Sequence, residues 1–333
     1  EAYSGTSAED LEKEPITAQT AGRLVNLRGH GKAGFGDLLG AGSRMQVYVR
    51  QDRVGEENHQ LFHLLDIGDI VGVKGSLFRT RTDELTISAE RVDFLAKGLL
   101  PLPEKWHGLS DSELRARRRY VDLFSNQEVR DGFLRRSAVL RAMKDVFLNH
   151  GYHEVETPVL HPIYGGANAR PFVTHHNSLD MQLFLRIAPE LCLKRLLVGG
   201  IERVFEFARV FRNEGLSQRH NPEFTMVEFY EAYSDYLGMV ELTEELVVAG
   251  ARAAGLEKED GCITATFREV EYDLTPPFRR VRYADAFREH VGVDAEDRDG
   301  LKVKMAEHEI TVGGQGEYHW WKAVNDLFEE LVE

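Results

Sequence analysis

The chain has 333 residues, 42% apolar and 29% charged, the balance of a globular protein large enough for two ordinary cores. Its 55 acidic and 41 basic side chains give a net charge of −14, which argues against nucleic-acid binding over the whole surface. No apolar run has membrane-spanning length, no secretory leader is expected, and Cys192 and Cys262 lack metal-ligand spacing, so a cytoplasmic protein with reduced thiols is expected.

Residues 18–96 read as short strands. The stretches Thr20–Leu27, Ser43–Arg50, Asp69–Phe78 and Leu85–Val92 alternate, with glycine-rich turns between them and a helix over about Asn58–Leu65. Five short strands with a helix after the third fit an OB-fold barrel, a fold that commonly binds single-stranded nucleic acid, although other small barrels give the same pattern. Leu99–Gly108, with two prolines one residue apart, reads as a stiff linker. A helix over Ser110–Asp122 follows and carries the basic cluster Arg115–Arg119. Further clusters at Lys74–Arg81, Arg135–Arg141 and Phe278–Arg282 suit RNA contact and solvated helix faces equally well.

Gln127–His150 shows a helical stripe of Val129, Phe133, Leu140, Met143 and Phe147. Gly151 ends that helix, and Tyr152–Thr157 is the next strand. Farther on, Arg203–Glu214 and Arg219–Tyr233 have the aromatic and β-branched content of strands, and they predict a long antiparallel hairpin. Strand periodicity puts Arg212 and Glu214 on one face of the first arm, and Phe224, Met226, Glu228 and Tyr230 on one face of the second. Aromatic rings mixed with carboxylates make an odd core but a sensible binding wall, able to stack a base, clamp a phosphate and hold a cation.

The wording of these stretches carries a resemblance. Phe211-Arg-Asn-Glu214, then Arg219-His-Asn-Pro-Glu-Phe-Thr225, resembles motif 2 of class II aminoacyl-tRNA synthetases, and Phe147–Pro158 resembles motif 1. Gly165–Phe172, His175–Asn177, Leu185–Leu191 and Leu193–Gly200 are similar to the bacterial type of lysyl-tRNA synthetase. The resemblance runs from about Ala21 to Glu333. It implies an α+β chain: an N-terminal OB-fold β-barrel that binds the anticodon (1–97), a linker (98–124), and a class II catalytic domain (125–333). That domain would be built on a mixed, mainly antiparallel sheet flanked by helices and be incomplete at its C-terminus. It also implies a homodimer through the motif 1 region.

The implied reaction is two-step. L-lysine and ATP give lysyl-adenylate and pyrophosphate, and the lysyl group then passes to tRNA(Lys). The carboxylate of lysine is itself the nucleophile, so orientation and neutralisation of phosphate charge carry the catalysis. By resemblance, Arg212 contacts the α-phosphate and the lysine carboxylate, Glu214 orients the adenine amino group, and His220 with Asn221 approaches the distal phosphates. Phe224 stacks on adenine. Glu228 and Tyr230 receive the lysine ammonium, Glu190 takes its α-amino group, and Gly166 and Ala167 leave room for backbone contact. In the barrel, Phe35 would stack on a base, while Arg28, Gln46 and Glu84 contact anticodon edges or phosphates. At Gly34, Gly36 and Asp37–Gly40 the sequence departs from the family, which usually has a continuous strand with a polar turn there.

The ligands for Mg2+ and the arginine of motif 3 belong downstream of a helix like Trp321–Glu333. The chain is therefore expected to be cut at both ends and poorly active as it stands. Two other readings are an aspartate or asparagine enzyme of the same subgroup, and a synthetase-like paralogue that binds RNA without aminoacylation. The anionic character of Glu228 favours lysine.

Overall fold

The computed structural model describes residues 3, 5–40, 42–100, 102, 111–217, 220–310 and 319–332. The chain forms two units, residues 1–137 and 138–333.

In the first unit, helix α1 (Ala8–Lys13) is capped by the Ser7 hydroxyl, which accepts from the Asp10 amide. Strands β1 (Thr17–His30), β2 (Ala33–Gly40) and β3 (Ser43–Arg50) lead into helix α2 (Gln51–Leu64), and β4 (Ile70–Arg79) and β5 (Leu85–Ala96) follow. They close a barrel in the order β1-β2-β3-β5-β4, with β3 and β5 parallel. The long β1 serves two neighbours. Thr17–Arg23 pairs with β4, Arg23–His30 pairs with β2, and a bulge between Leu24 and Asn26 makes the change of direction. Strand alternation turns Leu24, Leu38, Val47, Val49, Val71, Val73 and Ile87 inward.

The stretch that departs from the family pattern forms a regular strand. Ala33–Gly40 is one strand, because its glycines relieve crowding inside the barrel. A Cβ at Gly34 would lie 2.6 Å from the Phe62 ring of α2, and one at Gly36 would lie 2.9 Å from Leu24. Helix α2 also begins earlier than expected, at Gln51. Gly55, at φ 79°, bends it, and the expected helix corresponds to the part after the bend.

The single helix expected over Ser110–Asp122 is two: α3 (Ser112–Arg117) and α4 (Arg119–Ser125), broken at Arg118. The buried Asp122 explains the break, since its carboxylate gathers Arg115, Arg119 and Asn126 from three sides. Arg117 pairs with Glu113. Much of this basic cluster is thus committed to structure.

The division between units falls within α5 (Gln127–Asn149). The predicted helix is there, but its stripe is only partly core: Phe147 is fully buried while Phe133 is 53% exposed. After Gly151 the chain makes only a two-residue strand, β6 (His153–Glu154), parallel to β10 (Arg203–Phe211). Strand β11 (Glu223–Glu231) pairs antiparallel with β10, and the sheet order is β11-β10-β6. Between β6 and β10 lie β7 (Leu160–His161), β8 (Val173–His176), β9 (Met181–Leu185) and α6 (Glu190–Val198), the strands forming a second sheet in the order β7-β9-β8.

One face of the β10–β11 hairpin builds the core. Phe205, Phe207, Val227 and Phe229 pack with Phe147 and Tyr152, and with Leu242 and Leu246 of α7 (Tyr236–Ala253). Phe147 stacks on Phe205 with ring centroids 4.4 Å apart. The hairpin β12 (Thr264–Phe267) and β13 (Val270–Asp273) follows. Helices α8 (Tyr283–Val291), α9 (Arg298–Glu307) and α10 (Trp320–Leu331) then pack around Phe287, Leu301 and Leu327. No described helix is long and apolar enough to cross a membrane.

Candidate functional site

The other face of the hairpin is the wall that its alternation predicts. Register pairs Val204 with Tyr230, Glu206 with Glu228, Ala208 with Met226 and Val210 with Phe224. Strand β10 stops at Phe211, so Arg212 and Glu214 lie beyond the ladder and not on a strand face as expected. Arg212 is still held in line, since its amide donates to the Pro222 carbonyl at 2.9 Å. Its guanidinium lies over the Phe224 ring, 5.2 Å from the centroid, and its buried Nε has no hydrogen-bond partner. It makes no ion pair with Glu214, whose Oε1 instead accepts from the Arg170 amide at 3.4 Å. An arginine with an unspent buried donor beside an aromatic face is suited to an anionic group that arrives with a ligand.

Glu228 is the acid of the wall. Its Oε2 accepts from the Tyr230 hydroxyl at 3.1 Å. Burial pushes the Glu228 carboxyl above the usual glutamate range, the neighbouring Glu190 and Glu206 push it the same way, and Tyr230 and Arg212 oppose them. Burial and Glu228 push the Tyr230 phenol up as well. A cation set against this carboxylate would favour its ionised form.

Helix α6 brings Glu190 to the same place. Its Oε1 takes Lys194 Nζ at 2.6 Å, one helical turn on, and that ammonium sits 5.9 Å from the Tyr230 ring centroid. Lys194 thus places an ammonium beside Glu190 and near the Tyr230 ring. Gly166 has φ +91°, and a Cβ there would lie 2.9 Å from Glu190 Cβ and 3.2 Å from Ala188 Cβ. The close approach of this loop to Glu190 requires glycine. Ala167 is half-buried beside it.

The remaining predicted residues are less integrated. His220 Nδ1 meets Ser217 Oγ at 2.9 Å, and the same Oγ accepts from the His220 amide, so this side chain is engaged within its own loop. Asn221 is exposed. Arg219 lies outside the described residues.

Three residues beneath the wall escaped the sequence reading. Arg186 Nη1 donates to Glu206 Oε1 at 2.6 Å and to the Thr157 carbonyl at 3.1 Å, and Arg186 Nε donates to the Arg209 carbonyl. Thr157 Oγ1 donates to the other Glu206 oxygen at 2.6 Å. This buried, fully bonded network ties β10 to the segments that precede it and fixes the floor under Glu228. A carboxylate inside the apolar run Val204–Ala208 was the available signal.

In the first unit, the four predicted barrel residues share the outer face. Phe35 lies opposite Arg28 on one side and Tyr48 on the other, and the Phe35 and Tyr48 rings stack with centroids 4.5 Å apart. Phe78 adds a third ring, 6.0 Å from Tyr48. Gln46 Nε2 donates to Glu84 Oε2 at 2.8 Å, and Gln46 Oε1 accepts from Thr86. Asp37 accepts from Asn26 at 2.8 Å and lies 3.8 Å from Arg28. An aromatic strip flanked by oriented amides, a carboxylate and an exposed arginine has the composition of a single-strand binding surface. Tyr48 and Phe78 join that strip without having been singled out, because in sequence each is one more aromatic in an alternating strand.

Among the described residues no group of three or more histidine, cysteine, aspartate or glutamate side chains could hold a metal ion. No step of the chemistry is therefore assigned to Mg2+.

A barrel with a nucleic-acid-type face, and a hairpin wall with an arginine, an aromatic ring and a half-buried carboxylate, define a class. Residues 111–312 match the family described as tRNA synthetases class II (D, K and N), and residues 18–95 match the OB-fold nucleic acid binding domain. The chain belongs to the class II tRNA synthetase family. Within it, the chain is 47% identical over 327 residues to the lysine–tRNA ligase of Thermoanaerobacter sp. (strain X514), covering 98% of this chain and 64% of that protein. It is 48% identical over 336 residues to the lysine–tRNA ligase of Halalkalibacterium halodurans, covering 100% and 66%. The chain thus spans about two thirds of the length of these curated relatives.

Proposed function

We propose that this chain is part of a cytoplasmic lysine–tRNA ligase that activates L-lysine with ATP and transfers the lysyl group to tRNA(Lys). The observation that carries the reading is Glu228, a half-buried carboxylate that accepts from the Tyr230 hydroxyl on the same strand face as Phe224 and, raised above its usual range by burial, calls for a cation. A lysine ammonium satisfies that requirement, and an aspartate side chain would meet repulsion there. The α-amino group goes to Glu190, in the loop-and-helix corner that Gly166 keeps open. The lysine carboxylate then faces Arg212, whose unspent Nε and neighbouring Nη atoms bind it together with the α-phosphate of ATP. Attack of the carboxylate oxygen on that phosphorus breaks the bond to pyrophosphate and leaves lysyl-adenylate. Arg212 lowers the barrier by neutralising charge that grows in the transition state. Adenine stacks on Phe224 while Glu214 orients its amino group, and His220 and Asn221 approach the distal phosphates from the loop.

The barrel face at Arg28, Phe35, Gln46 and Glu84 takes the anticodon. Residues 1–97, 98–124 and 125–333 then act as anticodon-binding domain, linker and catalytic portion. The exposed Phe133 on the motif 1 helix supports a homodimer that covers it.

Amino-acid-dependent ATP–pyrophosphate exchange tests the reading, run with all twenty amino acids on the 333-residue chain and on a chain extended to its relatives' length. Exchange with lysine alone, strong only in the extended chain, is expected. No lysine-dependent exchange in either would leave an RNA-binding paralogue as the better account.

A further inference from the structure

We propose that His59 and His63 form a chelate site on α2 for a divalent transition cation of the zinc type. The sequence His59-Gln-Leu-Phe-His63 puts two imidazoles one helical turn apart, on the same face of the helix. Their Nε2 atoms lie 3.3 Å apart while the ring centroids lie 4.5 Å apart, so the nitrogens converge and the ring bodies diverge. A cation about 2.0–2.1 Å from both nitrogens, the usual zinc–imidazole length, sees 3.3 Å as an angle of about 104–111°, which brackets the tetrahedral value.

The surroundings suit a cation. His59 is buried and its ring is held against the barrel, which fixes one ligand, while His63 is exposed and leaves the outer coordination positions open to water. Glu56, just under a turn earlier, is within electrostatic reach of His59. The His63 ring also meets the Phe62 ring edge-on, with centroids 6.1 Å apart. Without metal, one Nε2 donates to the other. When the cation binds, the donating ring moves its hydrogen to Nδ1, and both Nε2 lone pairs face the metal. Imidazole nitrogens favour Zn2+, Ni2+ and Cu2+ over the oxygen-seeking Mg2+ and Ca2+. The clamp spans the helix after the Gly55 bend, so binding stabilises that helix and the barrel whose interior its Phe62 fills.

The test is calorimetric titration of the 333-residue chain with Zn2+ and with Mg2+, beside His63→Ala and His63→Gln. One equivalent of Zn2+ per chain is expected at the tightest site, with affinity at least tenfold weaker in both variants, and no competition from Mg2+. The thermal midpoint should rise with Zn2+ in the parent chain and not in the variants, whose metal-free midpoints match the parent. Zn2+ binding of equal strength in parent and variants, or none in the parent, overturns the proposal. Because the chain has 13 histidines, the variant comparison is the decisive arm. The site does not depend on the aminoacylation reading, so either can fail alone.

Discussion

Glu206 and Glu228 face each other directly across the β10–β11 ladder, and their charges are handled differently. Glu206 is buried against Arg186 Nη1 at 2.6 Å and bonded by Thr157. Glu228 is half-buried and accepts from the Tyr230 hydroxyl, with no basic partner as close as Arg186 is to Glu206. On one face of the hairpin, then, one acid is neutralised by a buried arginine and its neighbour is held back from ionising by burial.

Removing one member of the floor pair leaves a buried charge without its partner. Glu206→Gln should destabilise the second unit by about 3–5 kcal/mol, measured by denaturant unfolding. Arg186→Met combined with Glu206→Leu should recover much of that loss, since both charges leave together. A double variant as unstable as the sum of the singles would show that the network matters for its hydrogen bonds and not for its charge balance.

Lysine binding should depend on pH through Glu228. In the free site this carboxyl is raised above its ordinary value of about 4.3. At a pH below the raised value the ammonium must expel a proton to bind. Lysine affinity should therefore increase as pH rises through the raised value and level off above it, while Glu228→Gln binds weakly with little pH dependence over the same window. Calorimetry in buffers of different ionisation enthalpy should register the proton released.

Gly166 offers a steric test. At φ +91° and with Glu190 Cβ only 2.9 Å from a new Cβ, Gly166→Ala must shift either the loop or α6. A stability loss of about 1–3 kcal/mol is expected, together with weaker lysine binding and little change in ATP binding. Unchanged lysine affinity would separate the loop from the pocket.

The barrel has its own acid-sensitive point. Asp69 is fully buried, and it accepts from the Asp66 and Gly98 amides at 2.8 Å each and from Lys97 at 2.9 Å. Burial pulls its carboxyl upward, but the two amides and Lys97 outweigh burial and hold it below the usual aspartate range. Its stabilising contribution is complete above the unfolded value of about 3.9 and disappears as pH falls through the lower folded value. Asp69→Asn should cost about 2–3 kcal/mol at neutral pH and flatten the acid limb of the unfolding curve.

Much of this was legible in the sequence because strand alternation fixes faces. Phe224, Met226, Glu228 and Tyr230 share a wall for that reason alone, and Gln127–Asn149 forms one helix because its apolar period is helical. What escaped depended on partners remote in sequence. Glu206 reads as one charge in an apolar strand until Arg186 and Thr157, 20 and 49 residues away, arrive around it. Gly34 and Gly36 read only as a departure from the family pattern, since nothing local reveals that Phe62 and Leu24 need the space. Arg118 breaks a promising helix because Asp122 draws in side chains from both of its sides.

The most direct test of the central claim is the kinetics of Glu228→Gln in the length-extended chain, with lysine and ATP varied separately in pyrophosphate exchange. The lysine KM should rise at least tenfold while the ATP KM stays nearly unchanged. A selective rise in the ATP KM, or an unchanged lysine KM, would contradict Glu228 as the anion that selects lysine.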